Sequence, residues 1–183
     1  MDANEGYWVF GYGSLMWDPG FVPDRAVPGR LFGWHRAMCI YSNHYRGTDE
    51  RPGLVLGLDR GGSCRGIAFY VGPAKAEEVR HYLHEREMIT GVYDPRQAPV
   101  RLDDGRVVRA AIYVARRDHV QYAKGLDAAQ SAVLIRQGVG KAGRSRDYLA
   151  NTVSQMDRLG LPKGALHRLL RQVDQFDLQM IEN

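Results

Sequence analysis

The chain of 183 residues is poor in cysteine and has no spaced metal-ligand motif, and each absence excludes a class of protein. Its two cysteines, Cys39 and Cys64, lie in apolar strand-like segments, which favours buried thiols over a disulfide. No Cys-x-x-Cys or His-x-x-x-His spacing occurs and the histidines are scattered, so the sequence predicts no metal site. No apolar run approaches the roughly 20 residues that span a bilayer, so we expect no membrane-spanning helix.

The first residues of the chain lack the basic and apolar segments of a secretory signal. Residues 1–5 read Met-Asp-Ala-Asn-Glu and are acidic, so we expect a cytoplasmic protein. The length fits one domain, and no internal repeat or long linker marks a second one. We therefore expect a single domain over residues 1–183, with residues 1–7 flexible.

The positive charge of the chain is spread rather than concentrated. The net charge is +4, and the basic residues cluster only briefly, at residues 116–117 and 141–146. A nucleic-acid-binding protein would show a basic stripe on a known module, and neither is present. We expect no nucleic-acid partner, and the charge suits a small anionic substrate equally well.

Short strands are predicted in the first two thirds of the chain and helices in the last third. Glycine-rich turns at residues 59–63 and 103–105 are typical of β-hairpins. The predicted strands are residues 8–12, a pair of extended segments within 29–41, and residues 54–58, 65–71, 100–102 and 106–115. The predicted helices are residues 75–88, opened by Pro73 and Ala74, then 126–136, 146–159 behind an N-cap at Ser145, and 164–181. This order indicates an α+β fold with a curved or closed, mostly antiparallel sheet.

The segment Tyr12-Gly13-Ser14-Leu15 follows the first predicted strand and is a candidate binding loop. Gly13 breaks the strand, and backbone N–H groups at such a strand end can hold an anion. A dinucleotide-binding fingerprint is excluded because Met16 occupies the third glycine position. The Trp-Asp-Pro-Gly sequence of residues 17–20 also prevents a helix from starting there. The pattern alone leaves both a binding loop and a plain turn open.

One carboxylate of the helix predicted over residues 75–88 lies near its apolar face. At about 100° per residue, Glu87 lies one turn beyond Leu83 on that face, whereas Glu77 points to solvent. A carboxylate near a buried face has a raised pKa unless it is paired, which suits a general acid/base. Arg86 points at the same face, so the pattern alone also allows a structural ion pair.

A polar loop is predicted after the second group of strands. It reads Ser42-Asn43-His44-Tyr45-Arg46-Gly47. Arg46 could bind a substrate carboxylate through two hydrogen bonds, and an ordinary solvated loop is the alternative.

Taken together, these segments resemble the ChaC-like branch of the γ-glutamylcyclotransferases, from Trp8 to about Leu149. The markers are residues 9–17, which include the candidate loop, Tyr45-Arg46-Gly47 followed by Arg51-Pro52-Gly53, Tyr82-Leu83-x-x-Arg86-Glu87, and Gly143-x-Ser145-x-x-Tyr148-Leu149.

The resemblance implies a γ-glutamylcyclotransferase-like fold, in which helices flank a barrel-like sheet. It implies cleavage of γ-glutamyl peptides, glutathione above all, to 5-oxoproline and a free amine, without a metal or cofactor. Glu87 matches the family's catalytic glutamate, and residues 12–15 match the loop that lines the pocket for the γ-glutamyl group. Arg46 and Tyr148 are the further substrate-binding candidates.

Two departures from the family pattern leave the substrate open. Eukaryotic members commonly read Ser-x-Asp-His-Arg-Gly at the position of residues 42–47, which keeps Arg46 but changes its neighbours. Residues 88–93 are also longer than the usual spacing after the Arg-Glu pair. We therefore also consider the same reaction on other γ-glutamyl amines or amino acids, and a non-catalytic γ-glutamyl-binding protein linked to cation transport. The presence of Glu87 argues against the last of these.

Overall fold

The computed structural model describes residues 6–179, with side chains up to residue 175. The chain forms two compact units. The first contains the chain up to Ala37 and Gly57–Val120, and the second contains Met38–Leu56 and the chain from Gln121 onward. The single domain over residues 1–183 stays a prediction. Residues 1–5 of the predicted flexible segment lie outside the described residues, whereas Tyr7 is buried in the first strand.

Five strands of the described chain close into a barrel in the order β1-β3-β2-β4-β5. β1 pairs antiparallel with β3, from Tyr7 opposite Val71 to Gly11 opposite Ile67. β1 also pairs with β5 in parallel, through Val9 and Ala111, which closes the sheet. The mostly antiparallel, barrel-like sheet predicted from the sequence is therefore confirmed. The strands are β1 Tyr7–Gly11, β2 Arg25–Ser42, β3 Gly53–Val71, β4 Tyr93–Leu102 and β5 Val107–Ala115.

One of the two predicted hairpins is wrong. The glycine-rich residues 59–63 do not end a strand, because β3 continues through them. Gly61 and Gly62 have φ of 98° and 68°, and such glycines fit a bulge inside a strand as well as a turn between strands. The extended pair predicted within residues 29–41 is likewise the single strand β2, which contains Gly33 with φ of 82°.

The second predicted hairpin, at residues 103–105, is confirmed. β4 and β5 pair antiparallel in register from Tyr93 opposite Ala115 to Arg101 opposite Val107. Gly105 has φ of 91°, and its N–H donates to the Leu102 carbonyl over 3.0 Å.

The helix α1, Pro73–Glu87, begins and ends close to its predicted bounds. Pro73 suits the first helical position because its fixed φ is already helical and its missing N–H has no acceptor there. Val79 and Leu83 face inward and are buried. They share one apolar core with strands β1, β3 and β5 and with the candidate loop, formed by Tyr7, Val9, Leu15, Phe69, Val71, Ala76, Val79, Leu83, Ala111 and Tyr113.

The second unit carries three helices among its described residues, α2 Ala128–Gln137, α3 Ser145–Arg158 and α4 Ala165–Gln179. A small sheet of β6 Val139–Gly140 and β7 Gly143–Arg144 precedes α3. The predicted N-cap at Ser145 is wrong, because Arg144 occupies the cap position and Ser145 is the first helical residue. Residues 180 and 181 of the last predicted helix lie outside the described residues. No helix within residues 6–179 is both long and apolar enough to span a bilayer.

Candidate active site

The candidate loop follows β1, and its residues Ser14 and Leu15 begin a single turn of 3₁₀ helix, Ser14–Met16. The Met16 N–H donates to the Gly13 carbonyl over 3.0 Å, and the Trp17 N–H donates to the Ser14 carbonyl over 3.1 Å. The N–H groups of residues 13–15 precede the first of these bonds and have no acceptor within the turn. The sequence correctly excludes a longer helix here and leaves a turn open, but it does not predict the 3₁₀ form of that turn.

The side chains of Tyr12 and Leu15 are used to hold the loop on the barrel. Both are buried, and the Tyr12 hydroxyl donates to the Tyr113 carbonyl over 2.9 Å. Leu15 packs against Gly11, where a Cβ atom would lie only 3.2 Å from the Leu15 Cβ. What the loop can offer to an anion is therefore its backbone N–H groups rather than these two side chains.

Arg36, which no sequence pattern singles out, fixes the first residue of the loop. Its Nε donates to the Tyr12 carbonyl over 2.5 Å, and its Nη2 donates to the Arg65 carbonyl over 2.7 Å. Because one planar guanidinium holds both carbonyls, the loop is tied to strand β3 at a fixed orientation.

Arg86 fixes the other end of the loop to the last turn of α1. Its Nη2 donates to Ser14 Oγ over 3.1 Å, and its Nη1 donates to the Asp18 carbonyl over 2.8 Å and to the Tyr82 hydroxyl over 2.9 Å. Gly20, with φ of 75°, passes so close to this hydroxyl that a Cβ atom would lie 1.8 Å from it. The loop is therefore held between two arginines.

Glu87 is the last residue of α1, and the same guanidinium reaches it. Its side chain is 16% exposed, and Arg86 Nε lies 3.4 Å from Glu87 Oε1. Burial raises the pKa of Glu87, and the positive charge of Arg86 opposes this increase without cancelling it. By contrast, the side chains of Glu77 and Glu85 are 84% and 69% exposed. Glu87 therefore lies near the core, as the helical spacing predicts, and also contacts Arg86, while its role as general acid/base stays a prediction.

A buried tyrosine pair near Glu87 was not predicted. Tyr7 and Tyr113 are buried and hydrogen-bonded to each other. The pKa of Tyr113 is raised far above its usual value. Burial is the largest cause, and the nearby Tyr7 and the charge of Glu87 add to it. Both hydroxyls therefore stay protonated at physiological pH. A sequence pattern could not reveal the pair, because the two residues lie on separate strands.

Arg46 and Tyr148 lie together in the second unit. The Arg46 guanidinium carbon is 5.6 Å from the centroid of the Tyr148 ring, within cation–π range, and Nη1 donates to the Arg144 carbonyl over 3.4 Å. The Tyr148 hydroxyl accepts a hydrogen bond of 3.4 Å from the Leu56 N–H. The structure thus brings Glu87 together with residues 12–15 in the first unit, and Arg46 together with Tyr148 in the second.

The glycines beside Arg46 allow two backbone segments of the second unit to pass in close contact. A Cβ atom on Gly53 would lie 2.1 Å from the Arg46 carbonyl oxygen, and one on Gly138 would lie 2.3 Å from Gly53 Cα. Ser145 is bound to the same segment. Its hydroxyl donates to the Leu54 carbonyl over 2.6 Å and accepts from the Leu54 N–H over 3.1 Å. Several of the family markers in this unit therefore serve backbone packing.

Within residues 6–179, no group of three or more His, Cys, Asp or Glu side chains is placed to hold a metal ion. The absence of a metal and of a cofactor stays a prediction. Cys39 and Cys64 are both buried thiols, as expected.

Comparisons with known proteins place the chain among proteins of one kind. The family model described as ChaC-like protein matches residues 7–176. A protein of Escherichia coli (strain K12) named glutathione-specific gamma-glutamylcyclotransferase is 37% identical over 166 residues, 91% of this chain and 72% of that protein. The Danio rerio protein named glutathione-specific gamma-glutamylcyclotransferase 1 is 34% identical over 146 residues, 78% of this chain and 74% of that protein.

A solved structure confirms the predicted fold. The crystal structure of the γ-glutamylcyclotransferase specific to glutathione from yeast superposes with a TM-score of 0.86 and covers 94% of this chain and 97% of that one. Its sequence identity is 23%, so this likeness supports the fold alone.

Proposed function

The chain belongs to the ChaC-like protein family, and on that premise we propose that it is a glutathione-specific γ-glutamylcyclotransferase. It cleaves glutathione to 5-oxoproline and Cys-Gly. One observation within the first unit carries the proposal. The Arg86 guanidinium contacts both the Glu87 carboxylate and Ser14 of the candidate loop, so a proton-transfer group and a row of backbone N–H donors lie close together.

Glu87 is the general acid/base of this reaction. The α-amine of glutathione is mostly protonated at neutral pH and must lose a proton before it attacks its own γ-carbonyl. Glu87 accepts that proton and delivers it to the cysteine nitrogen as the amide bond breaks. The second proton that the attacking nitrogen loses on forming the lactam balances the one that the departing amine takes up to leave as an ammonium group. One carbon–nitrogen bond forms and one breaks, so the reaction consumes no water. The raised pKa of Glu87 suits this role, because its carboxylate is then a stronger proton acceptor than an exposed one.

Residues 12–15 hold the γ-glutamyl group for cyclisation. The nucleophile belongs to the substrate itself, so the protein contributes mainly by holding the amine against the carbonyl. The N–H groups of the loop face the anionic parts of the group, the α-carboxylate or the oxygen of the attacked carbonyl. We assign Arg46 and Tyr148 to substrate binding as well, with the Arg46 guanidinium as the donor to a carboxylate of the substrate.

We also propose a cytoplasmic location, a small-molecule substrate and no nucleic-acid partner. The buried thiols of Cys39 and Cys64 support a reducing compartment, because thiols persist there as thiols. Fractionation of the native host cells checks the location.

The decisive experiment is a product assay with the purified protein. Incubation with glutathione should release 5-oxoproline and Cys-Gly in equal amounts. Glu87→Gln should keep the fold and reduce turnover by about a hundredfold or more, the range for loss of a general acid/base. Glu85→Gln is the matched control, because it removes an exposed carboxylate two residues earlier on the same helix. If Glu87→Gln retained the wild-type rate, the assignment of Glu87 would be wrong.

A substrate panel decides between the proposal and its alternatives. Activity on other γ-glutamyl amines or amino acids without activity on glutathione would replace the proposed substrate. Tight binding of γ-glutamyl compounds without turnover of any of them would indicate a non-catalytic binding protein.

A further inference from the structure

Arg36 lies on strand β2 and donates its hydrogen bonds to two backbone carbonyls and the Met16 sulfur, and not to acids. Its guanidinium donates to the carbonyls of Tyr12 and Arg65 and lies 3.7 Å from Met16 Sδ. Among residues 6–179, no carboxylate forms an ion pair with it. Within this range, no partner of opposite sign therefore neutralises its positive charge. This charge lies next to Tyr12, the first residue of the candidate loop.

The hydrogen bond from Arg36 determines where the next N–H group of the loop points. A trans peptide unit is planar, so its C=O and N–H bonds point in opposite directions. Because Arg36 Nε holds the Tyr12 carbonyl, the N–H of Gly13 is directed away from Arg36. This N–H forms no hydrogen bond within residues 6–179.

We propose that Arg36 is a positioning residue that directs the Gly13 N–H toward the α-carboxylate of the γ-glutamyl group. This inference rests on the proposed function, since it requires a γ-glutamyl substrate on the loop. The guanidinium acts twice, by fixing the peptide plane and by placing a positive charge behind an N–H group that binds an anion.

The two arginines that hold the loop have separable effects. Arg86 contacts the Glu87 carboxylate, so its loss changes proton transfer. Arg36 bonds to the loop and to β3, so its loss changes how well the loop binds the substrate anion. Replacement of Arg36 should raise KM for glutathione and leave the pH dependence of kcat unmoved, which is a pattern that general loosening of the fold does not give.

The direct test is calorimetric binding in the inactive Glu87→Gln background with two ligands. One is glutathione, and the other is the analogue in which hydrogen replaces the γ-glutamyl α-carboxylate. Arg36→Met should weaken glutathione binding by about tenfold or more, the range for a lost charge-assisted hydrogen bond. It should change the affinity for the analogue by less than about threefold. Arg36→Lys keeps the charge without the planar fork, so its affinity for glutathione should lie between those of the parent and Arg36→Met.

Arg96→Met is the matched control, because it removes one positive charge from the same unit at a residue that bonds to Asp94 and not to the loop. It should bind both ligands as tightly as the parent. An equal loss for both ligands in Arg36→Met, or no loss for glutathione, would overturn the role of Arg36. Product release by the wild-type protein is measured first, so failure of the proposed function is seen separately from failure of this inference.

Discussion

Arg86 Nε lies 3.4 Å from Glu87 Oε1, close enough for attraction but longer than a charge-assisted hydrogen bond. The rest of the guanidinium donates to Ser14, to Tyr82 and to the carbonyl of Asp18. Arg86 therefore partly offsets the effect of burial on the pKa of Glu87 without forming a tight ion pair with it. A carboxylate held in this way can still exchange a proton with a substrate.

The first prediction concerns the pH dependence of turnover in Arg86→Met. The charge of Arg86 favours the ionised form of Glu87, so its removal should raise the pKa of this carboxyl further. Glu87 must be ionised to accept the proton of the amine. The acidic limb of the kcat/KM profile should therefore move to higher pH, as measured by 5-oxoproline release across a pH series.

Lys75→Met is the control for this shift. It removes the same charge from the same helix, but about 18 Å from Glu87 at about 1.5 Å per residue. Its profile should match that of the wild type. The acidic limb of the kcat/KM profile could instead stay at the wild-type pH in Arg86→Met, or move equally in both variants. Either result would show that Arg86 does not set the pKa of Glu87.

The second prediction is that the stability of the wild type falls relative to that of Glu87→Gln as pH rises. The pKa of Glu87 is raised above its ordinary value of 4.5 by folding, so the folded state favours the protonated carboxyl. The stabilisation is complete below the unfolded value and is lost as pH rises through the raised folded value. Glutamine does not titrate. The Tm of Glu87→Gln minus that of the wild type should therefore increase from about pH 4 to about pH 8.

Thermal unfolding of both proteins across this pH range measures the difference. Glu85→Gln serves as the reference, because its exposed carboxylate should give a much flatter difference. A difference for Glu87→Gln that is flat or decreases with pH would contradict the burial of this carboxyl.

The fold could be predicted from the sequence wherever its signals are local. The bounds of α1 follow from Pro73 and the helical spacing of Val79 and Leu83, and each of these is visible within one or two turns. The hairpin at residues 59–63 was predicted wrongly, because glycines with positive φ serve a bulge and a turn equally well. Which of the two forms depends on the neighbouring strand, and that pairing is not local.

The site could be predicted only for residues that carry a recognisable pattern. Glu87 and residues 12–15 belong to short motifs, and the helical wheel already places Glu87 near the core. Arg36 and Tyr113 act through backbone contacts with Tyr12 that span 24 and 101 positions along the chain. A lone arginine or tyrosine in a strand gives no sign of such a contact before the barrel closes.

The third prediction concerns Gly20→Ala. The change should destabilise the protein more than the strain of an alanine at positive φ explains, because its Cβ would overlap the Tyr82 hydroxyl that accepts from Arg86. Gly125→Ala is the matched control, with φ of 71° against 75° for Gly20 and no atom within 4 Å of its Cβ. The control should cost about 1–2 kcal/mol in free energy of unfolding, the range for an L-residue with positive φ.

Denaturant unfolding of both variants gives the comparison. Gly20→Ala should also reduce turnover, since displacement of Tyr82 disturbs the arginine that holds Ser14 and contacts Glu87. Equal free energies of unfolding for the two variants would show that the Tyr82 side chain moves away from the new Cβ without loss of stability.

The fourth prediction assigns the Arg-Pro-Gly marker of the second unit to backbone packing. Gly53→Ala would place a methyl group 2.1 Å from the Arg46 carbonyl oxygen and 3.0 Å from Ser145 Cβ, so the backbone must move. Overpacking of this kind costs about 1–3 kcal/mol in free energy of unfolding, and backbone atoms cannot rotate aside as a side chain does. Gly164→Ala is the control, because the nearest atom to its Cβ is 3.9 Å away. Denaturant unfolding should show a clear loss for Gly53→Ala alone. A Gly53→Ala protein as stable as the control would show that the close approach of Gly53 to the Arg46 carbonyl is not needed for this packing.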